Sequence, residues 1–294
     1  MKGFNYILLV IAVGISSCIE EYVPEYEVSD QKLSVIAELE ANKLSVIHLG
    51  STSGSNLPPL ELNHDTSIIK IINYEQGSRP EEYRYDDNSQ SYKNQTFIPK
   101  EGQDYDLFID VLIEGIPIIH ASSQVPFSAN LKDIISPQLQ LVEDEGKEVA
   151  RFDIALDIEE TPESGDFFHL IPYLNDENKL IIDKITEGEL ATHILVHKDG
   201  MLIDKTKLGV DENLAFSLRT INTFEVSQND PSYVYFELRA VTREYYDYHV
   251  ALSRQSATNA GPYTLPVTTY TNIENGQGIF ACYSTTLDST LIIK

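Results

Sequence analysis

Basic residues are scarce in this sequence. Its 294 residues contain 21 Lys and Arg against 46 Asp and Glu, which gives a formal net charge of −25 at pH 7. Nucleic-acid-binding proteins carry a basic face, and anionic lipid head groups attract basic segments. The charge therefore argues against both kinds of partner. The acids are spread along the chain, and we expect them mainly to solvate its surface.

Long apolar runs are missing from the N-terminus, where the apolar segment covers only Ile7 to Ile15. A membrane-spanning helix needs about 20 apolar residues, whereas this shorter segment suits the apolar part of a secretory signal peptide. Ser16 and Ser17 follow as the small residues that a signal peptidase requires, and Cys18 comes directly after them. Residues 1–17 are therefore predicted to be a signal peptide.

Cysteine occurs only twice, at Cys18 and Cys282. The stretch "ISSC" resembles the lipobox of bacterial lipoproteins, which implies that Cys18 becomes the first mature residue and carries lipid, including acyl chains such as palmitate. Several acyl chains anchor a protein stably, since each buried CH₂ contributes about 0.8 kcal/mol. The alternative is a plain secretory signal or a short uncleaved anchor, with Cys18 an incidental thiol. If Cys18 is acylated, Cys282 has no intrachain partner, and we expect it to be a small buried apolar residue.

Residues 18–30 are predicted to be a lipidated tether. Cleavage would remove Lys2 and no acid, so the net charge of −25 would become −26. Glu20 and Glu21 follow the cysteine, and in Bacteroidota lipoproteins such an acidic pair resembles the signal for export to the outer face of the outer membrane. The alternative is an acidic tether that is simply solvated. The expected location is the outer membrane, with the body facing the cell exterior.

Tryptophan is absent and Met occurs twice, whereas Tyr occurs 17 times and Phe 11 times. This composition favours β-structure. Residues 31–126 contain about seven short strand-like segments, which predict an immunoglobulin-like β-sandwich. In "QDYDLFIDV" the alternation places Tyr105, Leu107 and Ile109 on one face of a strand, and Pro126 marks the expected end of this domain.

Residues 127–294 are predicted to form a second β-rich domain. Its strands alternate in the same way, for example from Phe152 to Ile158 and in "YVYFELRAV". The period then changes, because apolar and aromatic residues recur at helical spacing from Tyr245 to Leu252. Thr242 is a suitable N-cap. We expect one amphipathic helix at about 243–256, packed on the sheet, in an otherwise all-β protein with mainly antiparallel strands.

Three segments resemble a Bacteroidota outer-membrane lipoprotein family known as domain of unknown function 4249. They are "GQDYDLFIDV…HASSQVP", "YVYFELRAVTREYYDYHVAL" and "NIENGQGIFACYS". The positions that match the family pattern are Gly102, Tyr105, Tyr245, Tyr248, Asn272, Gly276, Gly278 and Phe280. Together with the lipobox the resemblance spans nearly the whole chain, although residues 175–230 match none of these motifs.

The family resemblance implies an outer-membrane lipoprotein that is commonly associated with a TonB-dependent outer-membrane receptor. It does not by itself imply any particular activity. We interpret the motif residues as structural. Gly276 and Gly278 are expected at a turn or bulge that enters the last strand. Asn272 is expected to bond locally to the backbone.

Catalytic motifs are missing from the sequence. It contains no G-x-S-x-G, P-loop, H-E-x-x-H or EF-hand loop. We therefore predict no catalytic residue, no metal site and no cofactor, and a protein that is not an enzyme. The favoured function is an accessory to a TonB-dependent transporter, with an unknown ligand. The alternatives are a structural or adhesive surface protein, and a hydrolase whose two carboxylates converge at roughly 5–10 Å.

Overall fold

A computed structural model describes residues 32–52, 60–74, 79–135, 137–144, 146–159, 164–175, 178–185, 194–197, 200–207, 214–220, 233–258 and 269–293. The predicted signal peptide, Cys18, Glu20, Glu21 and the tether lie outside these residues. The described part contains seventeen strands and one α-helix. This confirms the predicted all-β class, with mainly antiparallel strands and one helix. No helix among these residues has the length and apolar character needed to cross a membrane.

Seven strands near the start of the chain form most of a first β-sandwich. They are β1 (Leu33–Glu40), β2 (Val46–Ser51), β3 (Ile68–Ile72), β4 (Glu81–Asp86), β5 (Ser91–Lys93), β6 (Asp104–Asp110) and β7 (Ile119–Gln124). One sheet has the order β1–β2–β5–β4 and the other β4–β3–β6–β7. Strand β4 belongs to both sheets, because its first half pairs with β3 and its second half with β5.

The remaining strands form a second sandwich. They are β8 (Asn130–Lys132), β9 (Leu139–Asp144), β10 (Lys147–Glu159), β11 (Phe167–Asn175), β12 (Asn178–Ile185), β13 (Ile194–His197), β14 (Gly200–Asp204), β15 (Leu214–Thr220), β16 (Tyr233–Val241) and β17 (Gly276–Leu291). A short 3-10 helix, Lys205–Lys207, follows β14. The sheet β9–β10–β15–β12 faces the sheet β13–β14–β11–β16–β17 across an apolar core.

The last strand joins the two sandwiches. Residues 276–283 of β17 pair in parallel with β1, and residues 283–291 pair antiparallel with β16. A continuous sheet therefore runs from one sandwich into the other. The core of the first sandwich includes Phe280 and Cys282, while Ile292 lies in the core of the second. The predicted division at residue 126 stays a prediction, and the end of the chain contributes to the cores on both sides of it.

The predicted helix is confirmed as α1 (Arg243–Thr258). Thr242 stands at its N-terminus, where its hydroxyl accepts a hydrogen bond from the Tyr245 backbone N–H at 3.4 Å. The helix covers part of the outer face of the continuous sheet. A third apolar cluster, between α1 and the sheet, contains Leu202, Val241, Tyr245, Tyr248, Ile279, Ala281 and Tyr283.

Candidate functional site

The two motif glycines of β17 lie where that strand approaches β1. Gly278 pairs with Val35 and has a φ of +105°, and a Cβ atom on it would lie 1.9 Å from the Val35 carbonyl oxygen. A Cβ on Gly276 would lie 2.8 Å from the Ile273 side chain and 3.2 Å from the Leu33 carbonyl oxygen. A side chain at Gly278 would also strain the backbone, because φ is positive there. These glycines allow the chain ends to pair closely.

The motif asparagine fastens the segment before β17 to the strand itself. Asn272 donates from Nδ2 to the Phe280 carbonyl oxygen at 2.6 Å, and its Oδ1 accepts from the Phe280 N–H at 3.0 Å. Phe280 is fully buried in the first core. The amide side chain thus holds a buried strand residue by both of its backbone groups.

Gly102 and Tyr105 lie at one end of the first sandwich. Gly102 has a φ of +75°, and a Cβ on it would come within 2.6 Å of the Phe127 ring. The Tyr105 hydroxyl donates to Gln103 Oε1 at 2.9 Å and accepts from the Lys100 N–H at 2.9 Å. Its ring meets the Phe97 ring edge-to-face at 5.4 Å. Tyr105 is therefore a fixed wall at this end of the sandwich.

A cavity of about 360 Å³ opens beside Tyr105. We call it the end cavity, and its lining residues are Asn73, Arg79, Glu81, Thr96, Phe97, Ile98, Lys100 and Tyr105. They come from the end of β3, the start of β4 and the connection between β5 and β6. Phe97 and Tyr105 are buried, whereas Arg79 and Lys100 are exposed at the rim. A buried apolar floor with a polar rim is the usual make-up of a small-molecule site.

A second cleft of about 420 Å³ is lined mainly by acids and their neighbours. Its lining includes Glu61, Asp65 and Asp87 around His64 and Tyr85. The His64 ring stacks on Tyr85 with a centroid distance of 4.0 Å. Its Nδ1 lies 2.8 Å from the Tyr92 hydroxyl, so the histidine is held by packing and hydrogen bonding within the sandwich.

Tyr245 is the centre of a polar network between α1 and the sheet. Its hydroxyl lies 3.0 Å from His169 Nδ1 and accepts a hydrogen bond from Arg239 Nη1 at 3.1 Å. Arg239 also pairs with Glu237 at 2.6 Å and lies over the Tyr283 ring, 4.9 Å from its centroid. Burial raises the pKa of the Tyr245 hydroxyl, which therefore stays protonated at neutral pH.

The same network reaches the first strand. The Tyr283 hydroxyl donates to Glu40 Oε2 at 3.2 Å, and His249 Nε2 lies 3.0 Å from Glu38 Oε1. Tyr248, the other motif tyrosine, is buried beside His249 with a ring distance of 5.6 Å. The helix and β17 are thus tied to β1, and these polar groups lie beneath α1. Their arrangement holds the two sandwiches together beneath the helix.

Aromatic and aliphatic side chains stand exposed on the outer sheet face that α1 leaves uncovered. We call them the outer strip, and they are Tyr233, Tyr235, Leu287 and Leu291. The half-buried Tyr173 lies beside Tyr235 on the same face. Tyr173 and Tyr235 stack at 5.4 Å, and Leu287 is 64% exposed. Sequence alternation predicts which face these residues share, but it cannot show that the helix stops short of them.

Cys282 lies in β17 with its side chain wholly inside the first core. Burial raises the pKa of its thiol to about 12. Within the described residues, no group of three or more His, Cys, Asp or Glu is placed to hold a metal ion. The lipidation site Cys18 and the export residues Glu20 and Glu21 lie outside the described residues and stay predictions.

None of the curated proteins matches this sequence. The model of a family described as a domain of unknown function, DUF4249, matches residues 19–288, which is most of the chain. The match includes all three motif segments, strands β1 to β16 and most of β17. The chain belongs to the DUF4249 family.

Proposed function

We propose that this protein is a non-enzymatic lipoprotein of the outer-membrane surface and an accessory to a TonB-dependent transporter. It would capture a ligand for the transporter or organise the complex. The lipobox ending at Cys18 supports the anchor, and Glu20 and Glu21 support export to the outer face. The family resemblance supports the association with a receptor.

The outer strip is the observation that carries this proposal. Protein interfaces are enriched in Tyr and other aromatic residues relative to the rest of the surface. Contiguous exposed apolar patches mark interaction sites. Here Tyr233 and Tyr235 are 39% and 37% exposed beside two exposed leucines on one sheet face. The expected occupant is the receptor, because a lipid anchor would hold this face close to proteins in the same membrane.

The test is a pull-down of the tagged full-length lipoprotein from outer membranes in mild detergent, with mass spectrometry of the bound proteins. With the wild-type lipoprotein as bait, we expect to recover a TonB-dependent receptor in an amount comparable to that of the lipoprotein itself. The double variant Tyr235→Ser/Leu287→Ser should lose most of it. Ile118→Ser/Ile135→Ser is the matched control, since these residues are 55% and 62% exposed but lie outside the strip.

The pull-down also separates the proposed function from its alternative. A structural or adhesive spacer is favoured by the continuous sheet, which links both sandwiches through β17. If no receptor is recovered with the wild-type lipoprotein, the accessory proposal fails and the structural or adhesive spacer becomes the favoured function. If the strip variant retains the receptor as well as the control does, the docking surface is elsewhere.

A further inference from the structure

Two cationic residues line the end cavity of a strongly acidic protein. Arg79 and Lys100 both line it, while the chain as a whole carries a formal charge of −25. Neither side chain forms an ion pair with a carboxylate in the described part of the chain. Both residues are exposed at the cavity, and a guanidinium is suited to bind a carboxylate through two parallel hydrogen bonds.

A carboxylate, Glu81, also lines the cavity, and it limits how much negative charge a ligand can carry there. Glu81 lies among the lining residues, where its Oε2 accepts a hydrogen bond from Asn94 Nδ2 at 3.2 Å. Among the described lining residues, two cations and one carboxylate give a net charge of +1. A ligand with a single negative charge neutralises it, whereas a doubly charged phosphate would leave an excess negative charge beside Glu81.

The floor of the end cavity suits an apolar group. Phe97 and Tyr105 are 9% and 2% exposed and meet edge-to-face, so the floor is a fixed aromatic surface. Ile98 stands at the mouth and is 47% exposed. The hydroxyl of Tyr105 is already bonded to Gln103 and to the Lys100 backbone. A volume of about 360 Å³ lies near the lower end of the range for ligand pockets, which favours a small molecule.

We propose that the end cavity binds a small monocarboxylate with an apolar or aromatic group. Arg79 and Lys100 hold the carboxylate at the rim, and the apolar group lies on Phe97 and Tyr105. The carboxylate is either that of a free small molecule or the C-terminus of a peptide. This inference deepens the proposed function, since it gives the chemical class of the captured ligand and rests on that function for its biological role.

The first experiment titrates the purified full-length protein with N-acetyl-phenylalanine by isothermal calorimetry. N-acetyl-phenylalanine amide is the neutral control, and phenyl phosphate is the doubly charged one. We expect binding of the acid at least about tenfold tighter than binding of the amide, because charge-assisted hydrogen bonds to the carboxylate are lost in the amide. A short peptide ending in Phe, with a free or amidated C-terminus, then separates the two sources of carboxylate.

Charge variants test which residues hold the carboxylate. Arg79→Gln and Lys100→Gln should each weaken binding of N-acetyl-phenylalanine about tenfold. Glu81→Gln should tighten it and should improve binding of phenyl phosphate. Arg84→Gln and Lys147→Gln remove equally exposed cations outside the cavity and should change nothing. All five positions lie at the surface or its edge, so unfolding of the variants is not expected to obscure the result.

The inference is overturned if acid and amide bind equally, or if neither the free acid nor the peptide acid binds. It is also overturned if the control variants weaken binding as much as Arg79→Gln and Lys100→Gln do. The two experiments can fail independently, so a wrong ligand assignment can be told apart from a wrong transporter role. A receptor recovered in the pull-down with no carboxylate binding defeats only the ligand assignment, and carboxylate binding without a receptor defeats only the transporter role.

Discussion

Gly278 and Val35 lie opposite each other in the parallel pairing of the last strand with the first, so close that a Cβ on Gly278 would stand 1.9 Å from the Val35 carbonyl oxygen. This contact joins residues far apart in sequence. It also explains why this chain has a glycine there. The two ends of the described chain meet in one sheet because that position has no side chain.

Gly278→Ala should destabilise the protein strongly. The positive φ of +105° strains any side chain, and the Cβ would push β17 away from β1. Together these effects should lower the free energy of unfolding by about 3 kcal/mol or more. Urea unfolding followed by circular dichroism measures the change. Gly50→Ala is the control, since a Cβ there meets nothing within 4 Å; equal stability of both variants would contradict the role of the contact.

The first core shows how much of the fold can be predicted from the sequence. Alternating residues place Tyr105, Leu107 and Ile109 on one buried face of β6, as the structure has them. The helix is predictable too, because Tyr245, Tyr248 and Leu252 recur at its period. Both patterns are local, and each depends only on the spacing of apolar residues within one element.

The partner of the last strand could not be predicted in the same way. The alternation of β17 shows that it is a strand, but not that residues 276–283 pair with β1 and close the first sandwich. The end cavity is equally hidden, since Asn73 and Arg79 lie in the connection between β3 and β4, whereas Lys100 lies in the connection between β5 and β6. Pairing between distant segments depends on tertiary contacts, and no local pattern in the sequence records them.

Tyr245→Phe tests the polar network beneath α1. The change keeps the buried ring but removes the hydroxyl that bonds to Arg239 and lies beside His169. Because a partly buried charged donor then lacks this acceptor, we expect a loss of about 1–2 kcal/mol in the free energy of unfolding. Tyr248→Phe removes a hydroxyl for which no hydrogen bond is described, and it should cost less than about 0.5 kcal/mol. If Tyr245→Phe lost no more stability than Tyr248→Phe, the hydrogen bonds of the Tyr245 hydroxyl would not contribute to stability.

Cys282 should make the protein less stable at alkaline pH. Burial raises the pKa of its thiol to about 12 in the folded state, so the folded protein favours the neutral form. Between the ordinary thiol pKa of about 8.5 and about 12 the unfolded chain binds fewer protons, and stability falls as the pH rises. Unfolding of the wild type and of Cys282→Ala should therefore be compared from pH 8 to pH 11. If the difference in free energy of unfolding between the two proteins stays constant over this range, the thiol does not have the raised pKa that its burial implies.

Lipidation of Cys18 can be tested by counting thiols. The folded mature protein should not react with a thiol reagent at neutral pH, since Cys282 is wholly buried. In denaturant, membrane-purified protein should show one reactive thiol per chain, and its Cys282→Ala variant none. Two thiols in the unfolded wild type would mean that Cys18 is unmodified, and the anchor would then need another explanation.

Glu20 and Glu21 should direct the lipoprotein to the outer face of the outer membrane. Replacing both with Lys reverses the charge directly after the predicted anchor and leaves the described body of the protein unchanged. We expect the wild type to be degraded when protease is added to intact cells and the variant to be protected, with similar total amounts of both. Glu25→Lys/Glu27→Lys, which alters the same number of charges later in the predicted tether, is the matched control. If it is protected as well, overall tether charge rather than the acidic pair governs export, because only the position of the charges differs between the two variants.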